Sequence, residues 1–278
     1  MILHLTNGQV TISRDIDFGL TLCDSGQAFR WKRTDGEITG VVSSRLCRIR
    51  QDNYGTIIDI SKSDYDSFWR NYFAVDDDYS ALDLIHDPFL KECMNGRGLR
   101  IVRQDFFETL ITFIFSAGNN IPSIRRSIEK FCACFGDYIE PDYFSFPRPE
   151  QLIGITAGEI FRKTGTRFPR TGESILHAAK LTLAGHFNGI ENLPLSEQLY
   201  RIKQCYGIGD KIANCVALFG LHNLKAFPID IWMKRVLAEI YGDTDTDRFG
   251  DLAGVAQQFM FCYAREHKER FSRHKKIR

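Results

Sequence analysis

A lysine and an aspartate stand beside a glycine turn in the stretch from Leu199 to Tyr241. Lys211 follows the turn Gly207-Ile208-Gly209, and Asp230 comes just before a predicted helix that begins at Ile231. The positive end of a helix dipole favours the neutral amine, which is the nucleophilic form of lysine. Such an amine can attack an electrophilic carbon, and a carboxylate can stabilise positive charge developing there. Either residue alone is more often a surface charge or a helix cap.

The pattern of this stretch predicts a helix, a tight glycine turn, a second helix, a loop and a third helix. The two glycines of the turn let the backbone adopt conformations closed to other residues and approach a partner closely. Asp210 can cap the second helix, in which apolar residues recur at helical spacing up to Gly220. Backbone N–H groups at such a turn and at a helix N-terminus suit a phosphate. We therefore expect a phosphate-binding hairpin at about residues 199–220.

This hairpin resembles that of the helix-hairpin-helix DNA glycosylases, in which such a lysine attacks sugar C1′ and such an aspartate assists. The string Ser25-Gly26-Gln27-Ala28-Phe29-Arg30-Trp31, which is expected to follow a strand, narrows the resemblance to the 8-oxoguanine DNA glycosylases. In that family the glycine at the position of Gly26 offers its carbonyl to the damaged base. 8-Oxoguanine has an N7–H donor where guanine has only an acceptor, so one fixed carbonyl can tell them apart. The alternative is a β-turn glycine followed by core aromatics.

The resemblance implies three more pocket residues. Gln257 matches a glutamine that reads the Watson–Crick edge of the flipped base, and Phe261 matches a phenylalanine that stacks on it. The two are spaced i, i+4 in a predicted helix over residues 252–263, so they share a face. Cys215 matches the residue on the other face of the base and lies at i+4 from Lys211. Without the resemblance, Phe261 is most simply a core residue and Cys215 a small hydrophobe.

The expected partner is double-stranded DNA, held by loops as well as by the hairpin. Phe168 lies at the centre of a basic loop predicted over residues 162–170, a composition that suits base stacking or insertion into an opened duplex. The alternative is a phenylalanine that packs beneath the arginines of the same loop. The resemblance favours an inserted wedge and also includes an asparagine pair. The residues expected to bind DNA are Asn120, Phe168, Arg170, Gly207 and Gly209.

Charge alone gives no support for DNA binding. The net charge is +1 and the pI is about 7.6, so a DNA surface must come from local clusters of basic residues. One such cluster is the tail from Arg273 to Arg278, which is equally consistent with a solvated chain end.

The residues expected to face the base opposite the lesion differ from the family pattern. Members that require cytosine opposite the lesion hold the orphaned base with an asparagine and two arginines. The aligned positions here are Gly118, Ser123 and Pro169, none of which can donate charged, bidentate hydrogen bonds. A one-residue slip would bring Asn119 into the first place, and Arg167 or Arg170 lies near the third. We expect weak selectivity for the opposite base.

The fold class expected is α+β. Residues 1–80 should form an antiparallel twisted β domain, and residues 81–278 a mostly helical, two-lobed helix-hairpin-helix region. Turn signals lie at Asn7-Gly8, Asp35-Gly36 and Asn53-Tyr54-Gly55, between stretches at Met1–Leu5, Gln9–Ile12, Ile38–Val42, Leu46–Ile49 and Thr56–Ile60. Residues 104–116 predict a buried central helix, residues 123–136 an amphipathic helix, and residues 141–149 a loop.

The cysteines bear on cofactors and compartment. The 8 cysteines include no CxxC pair, which indicates free thiols in a reducing cytosol. Some glycosylases with this hairpin bind an iron–sulfur cluster through four closely spaced cysteines after the catalytic region. Here only Cys262 follows Cys215, so we expect no cluster, no other metal and no required cofactor. The resemblance implies that carbonyls of the hairpin turn can hold a monovalent cation. We expect a cytoplasmic, nucleoid-associated monomer without a signal peptide or membrane span.

The resemblance therefore predicts a DNA repair enzyme that flips out and excises 8-oxoguanine through a lysine Schiff base and then cleaves the strand by β-elimination. Extruding a base costs a few kcal/mol, which a pocket with stacking planes must offset. One alternative is a monofunctional glycosylase for alkylated bases, but those enzymes lack a lysine at the position of Lys211. The other is a non-catalytic hairpin module, which would need neither Lys211 with Asp230 nor the pocket around Gly26.

Overall fold

The computed structural model describes residues 2–6, 8–12, 16–51 and 55–271. The predicted turns at Asn7-Gly8 and Asn53-Tyr54-Gly55 fall partly outside these residues, and the tail Arg273–Arg278 falls wholly outside them. The first part of the chain forms a six-stranded antiparallel sheet in the order β1-β2-β6-β5-β4-β3. Its strands are β1 (Ile2–Thr6), β2 (Gln9–Ile12), β3 (Trp31–Thr34), β4 (Glu37–Val42), β5 (Arg45–Gln51) and β6 (Thr56–Ile58).

Two tight turns set the register of the β3–β4–β5 meander. Asp35 and Gly36 both have positive φ, as the Asp-Gly signal predicts for a two-residue hairpin. Ser43 and Ser44 make the next turn with φ of 45° and 64°, although neither residue type signals such a turn. On the sheet, Trp31 pairs with Gly40, and a Cβ at Gly40 would lie 2.3 Å from the indole of Trp31. A side chain at this glycine would therefore displace the tryptophan.

A helical segment packs its aromatic residues onto the sheet. It comprises α1 (Lys62–Asp64), a π-helical stretch (Tyr65–Trp69) and α2 (Arg70–Tyr72). Tyr65, Trp69 and Tyr72 recur at helical spacing and are all buried. The indole N–H of Trp31 donates to the Tyr72 hydroxyl at 2.9 Å, which satisfies a buried donor. These residues and the inner face of the sheet make one core.

The rest of the described chain is mainly helical. Short 3-10 segments occur at Ser80–Leu84, Pro149–Leu152, Ile190–Asn192 and Asp247–Leu252, and a π-helical stretch at Leu237–Tyr241. The helices are α3 (Pro88–Met94), α4 (Phe106–Phe115), α5 (Ile121–Phe135), α6 (Ala157–Thr164), α7 (Arg170–Leu183), α8 (Leu195–Lys203), α9 (Asp210–Gly220), α10 (Ile231–Val236) and α11 (Ala253–Glu266). α4 is the predicted central helix: nearly all of it is buried, and it packs against α5, α7 and α9.

Several predicted boundaries were wrong. The residues before Ser25 are not a strand but a buried π-helical stretch (Gly19–Asp24), which starts where Asp17 accepts from the N–H of Leu20. α5 starts at Ile121, because Asn120 caps it and Pro122 occupies a position where no N–H is needed.

The two predicted loops were also partly wrong. Residues 141–149 are not all loop, because β7 (Tyr138–Glu140) pairs with β8 (Tyr143–Phe144) across a turn in which Asp142 has a φ of 69°. In the basic segment, residues 162–164 end α6 and Arg170 begins α7. Only residues 165–169 remain as loop, since Gly165 ends α6 in the left-handed conformation.

The sheet and the helices share side chains across their junction. Leu20 and Phe29 pack in the helical core, whereas Val102 packs in the core of the sheet. The division of the chain at residue 80 stays a prediction.

Candidate active site

A small cavity lies where the Ser25-Gly26 turn meets α4, α9, α11 and the start of α10. Its volume is about 50 Å³. We call it the central pocket; it is lined by Ser25, Gly26, Phe113, Lys211, Cys215, Phe219, Pro228, Asp230, Gln257, Gln258 and Phe261. The list contains both predicted catalytic residues and all four predicted base-pocket residues. The fold therefore brings together side chains from both ends of the chain.

Lys211 enters the pocket from the first turn of α9. Its Nζ lies 3.4 Å from Ser116 Oγ and 5.2 Å from the centroid of the Phe113 ring. The Ser116 hydroxyl donates to the carbonyl of Phe113 at 2.7 Å, so its oxygen remains free to accept from the lysine. The half-buried amine thus rests against the C-terminal end of α4.

Asp230 is the N-cap of α10. One carboxylate oxygen accepts from the N–H groups of Trp232 and Met233 at 3.0 and 2.9 Å, which fixes the side chain at the edge of the pocket. Burial raises the pKa of Asp230, and these backbone donors and the positive charge of Lys211 oppose the rise. The residue that caps α10 is therefore also one that interacts electrostatically with Lys211.

Cys215 is a buried thiol beside Lys211. Burial raises its pKa, the positive charge of Lys211 lowers it, and the carboxylate of Asp230 raises it. Because the net shift is upward, the group is a neutral thiol at pH 7 and offers a flat, polarizable surface.

Gly26 and Phe261 face each other across the pocket. Gly26 has a φ of +72°, and a Cβ there would lie 3.5 Å from Phe261 and 3.3 Å from Ile121. The guanidinium of Arg265 lies 5.3 Å from the centre of the Phe261 ring and donates to the carbonyl of Asp24 at 2.7 Å. A flat molecule can enter between Gly26 and Phe261 only if this ring moves, since the cavity is far smaller than the roughly 300–1,000 Å³ of typical ligand pockets.

Gln257 presents an unpaired acceptor. Its Nε2 donates to the carbonyl of Pro228 at 3.1 Å, which orients the amide, while its buried Oε1 has no hydrogen-bond partner in the described structure. Buried polar atoms are rarely left unpaired, so this oxygen is a candidate to accept from a ligand.

The predicted wedge lies outside the central pocket, on a second surface. Phe168 packs on the loop after α4, where a Cβ at Gly118 would lie 3.1 Å from its ring. The guanidinium groups of Arg167 and Arg170 lie 5.2 and 5.4 Å from the ring centre. Arg167 also donates to the carbonyl of Gly118 at 2.7 Å. The exposed Asn120 caps α5 beside this cluster through the N–H of Ser123.

The hairpin turn lies at the surface between α8 and α9. Gly207 and Gly209 are exposed, but only Gly207 has a positive φ, of +78°. Gly209 has an extended backbone, so the prediction that both glycines take special conformations was wrong for it. The proposed cap at Asp210 was also wrong: Gly209 is the N-cap, and the Asp210 carboxylate pairs with Lys203 Nζ at 2.9 Å.

Sequence reasoning missed the two residues that contact Lys211, Phe113 in the pocket lining and Ser116 just below it, and it also missed Gln258. The apolar pattern of α4 predicted burial and nothing more for the first two. Gln258 is adjacent to Gln257, and a buried glutamine in an apolar helix was the one signal that could have identified it.

The chain also resembles known proteins in sequence and fold. The family model for the N-terminal domain of 8-oxoguanine DNA glycosylase matches residues 9–110. The N-glycosylase/DNA lyase OGG1 of Arabidopsis thaliana is 26% identical over 274 residues, covering 85% of this chain and 74% of that protein.

Two solved structures cover nearly the whole chain. The MBOgg1 protein in complex with a low-affinity DNA ligand is 33% identical with a TM-score of 0.87, over 95% of this chain and 98% of that one. The 8-oxoguanine glycosylase/lyase of Clostridium acetobutylicum, bound to double-stranded DNA with cytosine opposite 8-oxoguanine, is 29% identical with a TM-score of 0.87. That match covers 96% of this chain and 98% of the other. The chain belongs to the 8-oxoguanine DNA glycosylase family of the helix-hairpin-helix superfamily.

Proposed function

We propose that this protein excises 8-oxoguanine from double-stranded DNA and then cleaves the abasic strand, as a DNA glycosylase and AP lyase. The observation that carries the proposal is the convergence of Lys211 and Asp230 on one pocket with Gly26, Gln257 and Phe261. An amine beside a carboxylate serves covalent chemistry at a sugar carbon, and the other three groups suit a flipped base. The relatives named N-glycosylase/DNA lyase and 8-oxoguanine glycosylase/lyase support the same activity.

The base would be recognised by shape and by hydrogen-bond acceptors. The carbonyl of Gly26 would accept from N7–H, which 8-oxoguanine has and guanine lacks. The unpaired Oε1 of Gln257 would accept from the Watson–Crick edge. The base would lie between the Phe261 ring and the neutral thiol of Cys215. The Phe261 ring would first have to move away from Gly26.

In the proposed reaction, the neutral amine of Lys211 forms a bond to C1′ while the bond from C1′ to N9 breaks and its electron pair leaves with the base. The leaving base takes up a proton. Asp230 would stabilise positive charge on the sugar as the glycosidic bond breaks. Opening of the sugar ring gives a Schiff base, which makes the C2′ proton acidic. Loss of that proton expels the 3′ phosphate, and water then hydrolyses the Schiff base to regenerate the lysine.

The hairpin turn would hold a phosphate of the DNA backbone. A Cβ at the exposed Gly209 meets nothing within 4 Å, which supports the close approach of a phosphate to its N–H. Backbone carbonyls at this turn would hold a monovalent cation, because neutral oxygen donors suit hard cations. The cation would strengthen the contact with phosphate.

We further propose that the protein is a monomer, that it acts at the cytoplasmic nucleoid, and that it needs no iron–sulfur cluster or other cofactor for catalysis. Among the described residues, no helix has both the length and the apolar character needed to cross a membrane.

The decisive experiment is borohydride trapping on duplexes that contain 8-oxoguanine. Wild-type protein should give a covalent protein–DNA adduct, whereas Lys211→Gln should bind lesion DNA but give none. Lys225→Gln, at an exposed lysine paired with Asp251 at 2.8 Å, is the matched control and should trap normally. An adduct formed by Lys211→Gln would show that another amine is the nucleophile.

A further inference from the structure

Gln258 is a second buried amide at the central pocket, and the proposed chemistry does not use it. Its side chain lines the pocket from α11 and is 3% exposed. Its Oε1 has no hydrogen-bond partner among the described residues. The amide oxygen of the adjacent Gln257 is also unpaired, so two residues with buried, unpaired acceptors line one cavity. A buried, unpaired acceptor opposes folding, and a function in ligand binding accounts for its presence.

We propose that Gln258 is a further base-contact residue that sets specificity for oxidised guanine over oxidised adenine. Its amide oxygen accepts a hydrogen bond from the Watson–Crick edge of the flipped base, beside that accepted by Gln257. This inference rests on the proposed function and names the residues by which that pocket selects its purine.

The chemistry of the two purines explains why a second acceptor is useful. The Watson–Crick edge of 8-oxoguanine carries two adjacent donors, N1–H and the 2-amino group, whereas 8-oxoadenine has an acceptor at N1. Both bases carry the same N7–H, so the carbonyl of Gly26 treats them alike. Stacking on Phe261 and Cys215 also treats them alike. Paired acceptors at Gln257 and Gln258 match the donors of guanine and repel the N1 of adenine.

A merely structural glutamine would behave differently, and the chain provides an example. Gln198 is 2% exposed and lies away from the pocket. Its Nε2 donates to the carbonyl of Ile190 at 3.1 Å, and its Oε1 accepts from Asn223 at 2.8 Å. Loss of that amide should destabilise the fold, because it leaves two partners unpaired. The amide oxygen of Gln258 has no hydrogen-bond partner among the described residues, so its removal leaves no donor unpaired there.

The test compares Gln258→Met and Gln198→Met with wild-type protein. Single-turnover excision is measured on duplexes that contain 8-oxoguanine or 8-oxoadenine. Strand cleavage is measured on a duplex with a natural abasic site, and the melting temperature is measured without DNA. Gln258→Met should slow excision of 8-oxoguanine by about tenfold and lower the ratio of the two excision rates by at least as much. Its abasic-site cleavage and melting temperature should not fall. Gln198→Met should melt earlier but keep the wild-type ratio, and Gln258→Leu should repeat the result of Gln258→Met.

Two outcomes separate this inference from the proposed function. If wild-type protein excises 8-oxoguanine and Gln258→Met keeps the wild-type ratio of the two excision rates, the proposed role of Gln258 is wrong. The proposed function of the protein is not affected by that result. Wild-type protein that neither excises 8-oxoguanine nor cleaves an abasic duplex overturns the proposed function, and this inference with it.

Discussion

Burial sets the charge of the ionisable groups around Lys211. Cys215 and Asp230 both have raised pKa values, and in both cases loss of solvent is the largest cause. For Cys215 the result is a thiol that stays neutral and is therefore a weak nucleophile. For Asp230 the raised pKa means that the fold favours the neutral acid. The carboxyl therefore contributes stability below the ordinary pKa of aspartate, and this contribution is lost as the pH rises through the raised value.

Replacing Asp230 with asparagine should separate catalysis from stability. Asparagine can still cap α10 and carries no charge to bury, so Asp230→Asn should melt no earlier than wild type at pH 7. Excision should fall by about 10²–10³, the usual cost of removing one electrostatic contact to a transition state. The wild-type rate should rise with pH above the ordinary aspartate value of 3.8, because the ionised carboxylate is the active form. The measurements are melting temperature and single-turnover excision across a pH series; wild-type rates in Asp230→Asn would contradict the assignment.

At the scale of elements, the two glycines of the hairpin turn are under different structural constraints. A Cβ at Gly207 would lie 2.8 Å from Ser174 Oγ, and its φ of +78° is unfavourable for other residues. Gly209 has neither constraint, so the fold itself does not require a glycine there. The space beside Gly209 is what the proposed phosphate contact needs.

Substitution of Gly209 should therefore affect DNA binding without unfolding the protein. Gly209→Ala and Gly209→Val should stay folded, with only the modest loss of stability that replacing a glycine N-cap entails. They should weaken binding to damaged and undamaged duplexes alike, by about tenfold or more for valine, because a hydrogen bond to a charged phosphate is lost. Binding titrations on both duplexes at one salt concentration provide the measurement. A variant that loses lesion selectivity but keeps its affinity for undamaged DNA would argue against a phosphate contact.

The loops after α4 and before α7 form one surface around Phe168. In the described structure the side-chain oxygens of Asn119 and Asn120 accept from the backbone at Asn120 and Ser123. Arg167 binds the carbonyl of Gly118. Arg167, which lies near one of the expected cytosine-contact positions, thus already donates to a local partner, which supports the expectation of weak selectivity.

Excision of 8-oxoguanine should accordingly depend little on the opposite base. Each bidentate base contact is worth about 1–3 kcal/mol, so the loss of two should reduce discrimination by roughly a hundredfold or more. Single-turnover rates opposite C, A, G and T measure this directly. A rate opposite C several hundredfold above all others would refute the prediction. Arg167→Gln and Arg170→Gln would then identify which arginine binds the cytosine.

At the scale of the whole molecule, an arginine and a glutamate with a raised pKa lie at the junction of sheet and helices. Arg30 is 6% exposed, donates to the carbonyl of Phe144, and leaves Nε and Nη1 without partners in the described structure. Burial raises the pKa of Glu108 on α4 to about 7, Arg30 opposes the shift, and Asp105 and Glu129 add to it. The folded protein therefore holds a proton on Glu108 that the unfolded chain releases at lower pH.

Because the folded protein keeps Glu108 protonated, we expect its free energy of unfolding to decrease between mildly acidic and neutral pH. The free energy of unfolding should fall as the pH rises from about 4.5 to about 7, because only the unfolded chain ionises Glu108 in that range. Glu108→Gln should remove this slope and be more stable near neutral pH by about 1–3 kcal/mol. Urea unfolding at a series of pH values measures it, with Glu173→Gln at an exposed glutamate as the control. Parallel curves for wild type and Glu108→Gln would show that Glu108 does not titrate in this range.

Features that depend on local pattern could be predicted from the amino-acid sequence. Helical spacing placed Gln257 with Phe261 and Lys211 with Cys215 on shared faces, since a helix repeats over three to four residues whatever surrounds it. The Asp35-Gly36 turn followed from residue types that tolerate positive φ. Matched motifs along the chain supplied the family and the pocket residues.

Contacts between groups far apart in the chain became known only from the folded structure. It placed Ser116 beneath Lys211, Gln258 at the pocket and Glu108 near Arg30, and it showed that Gly207, not Gly209, needs a glycine conformation. None of these follows from residue type, because burial, pKa and unpaired hydrogen-bonding groups depend on what other segments bring to the same place. Segments far apart in the chain acquire these properties only when the core packs.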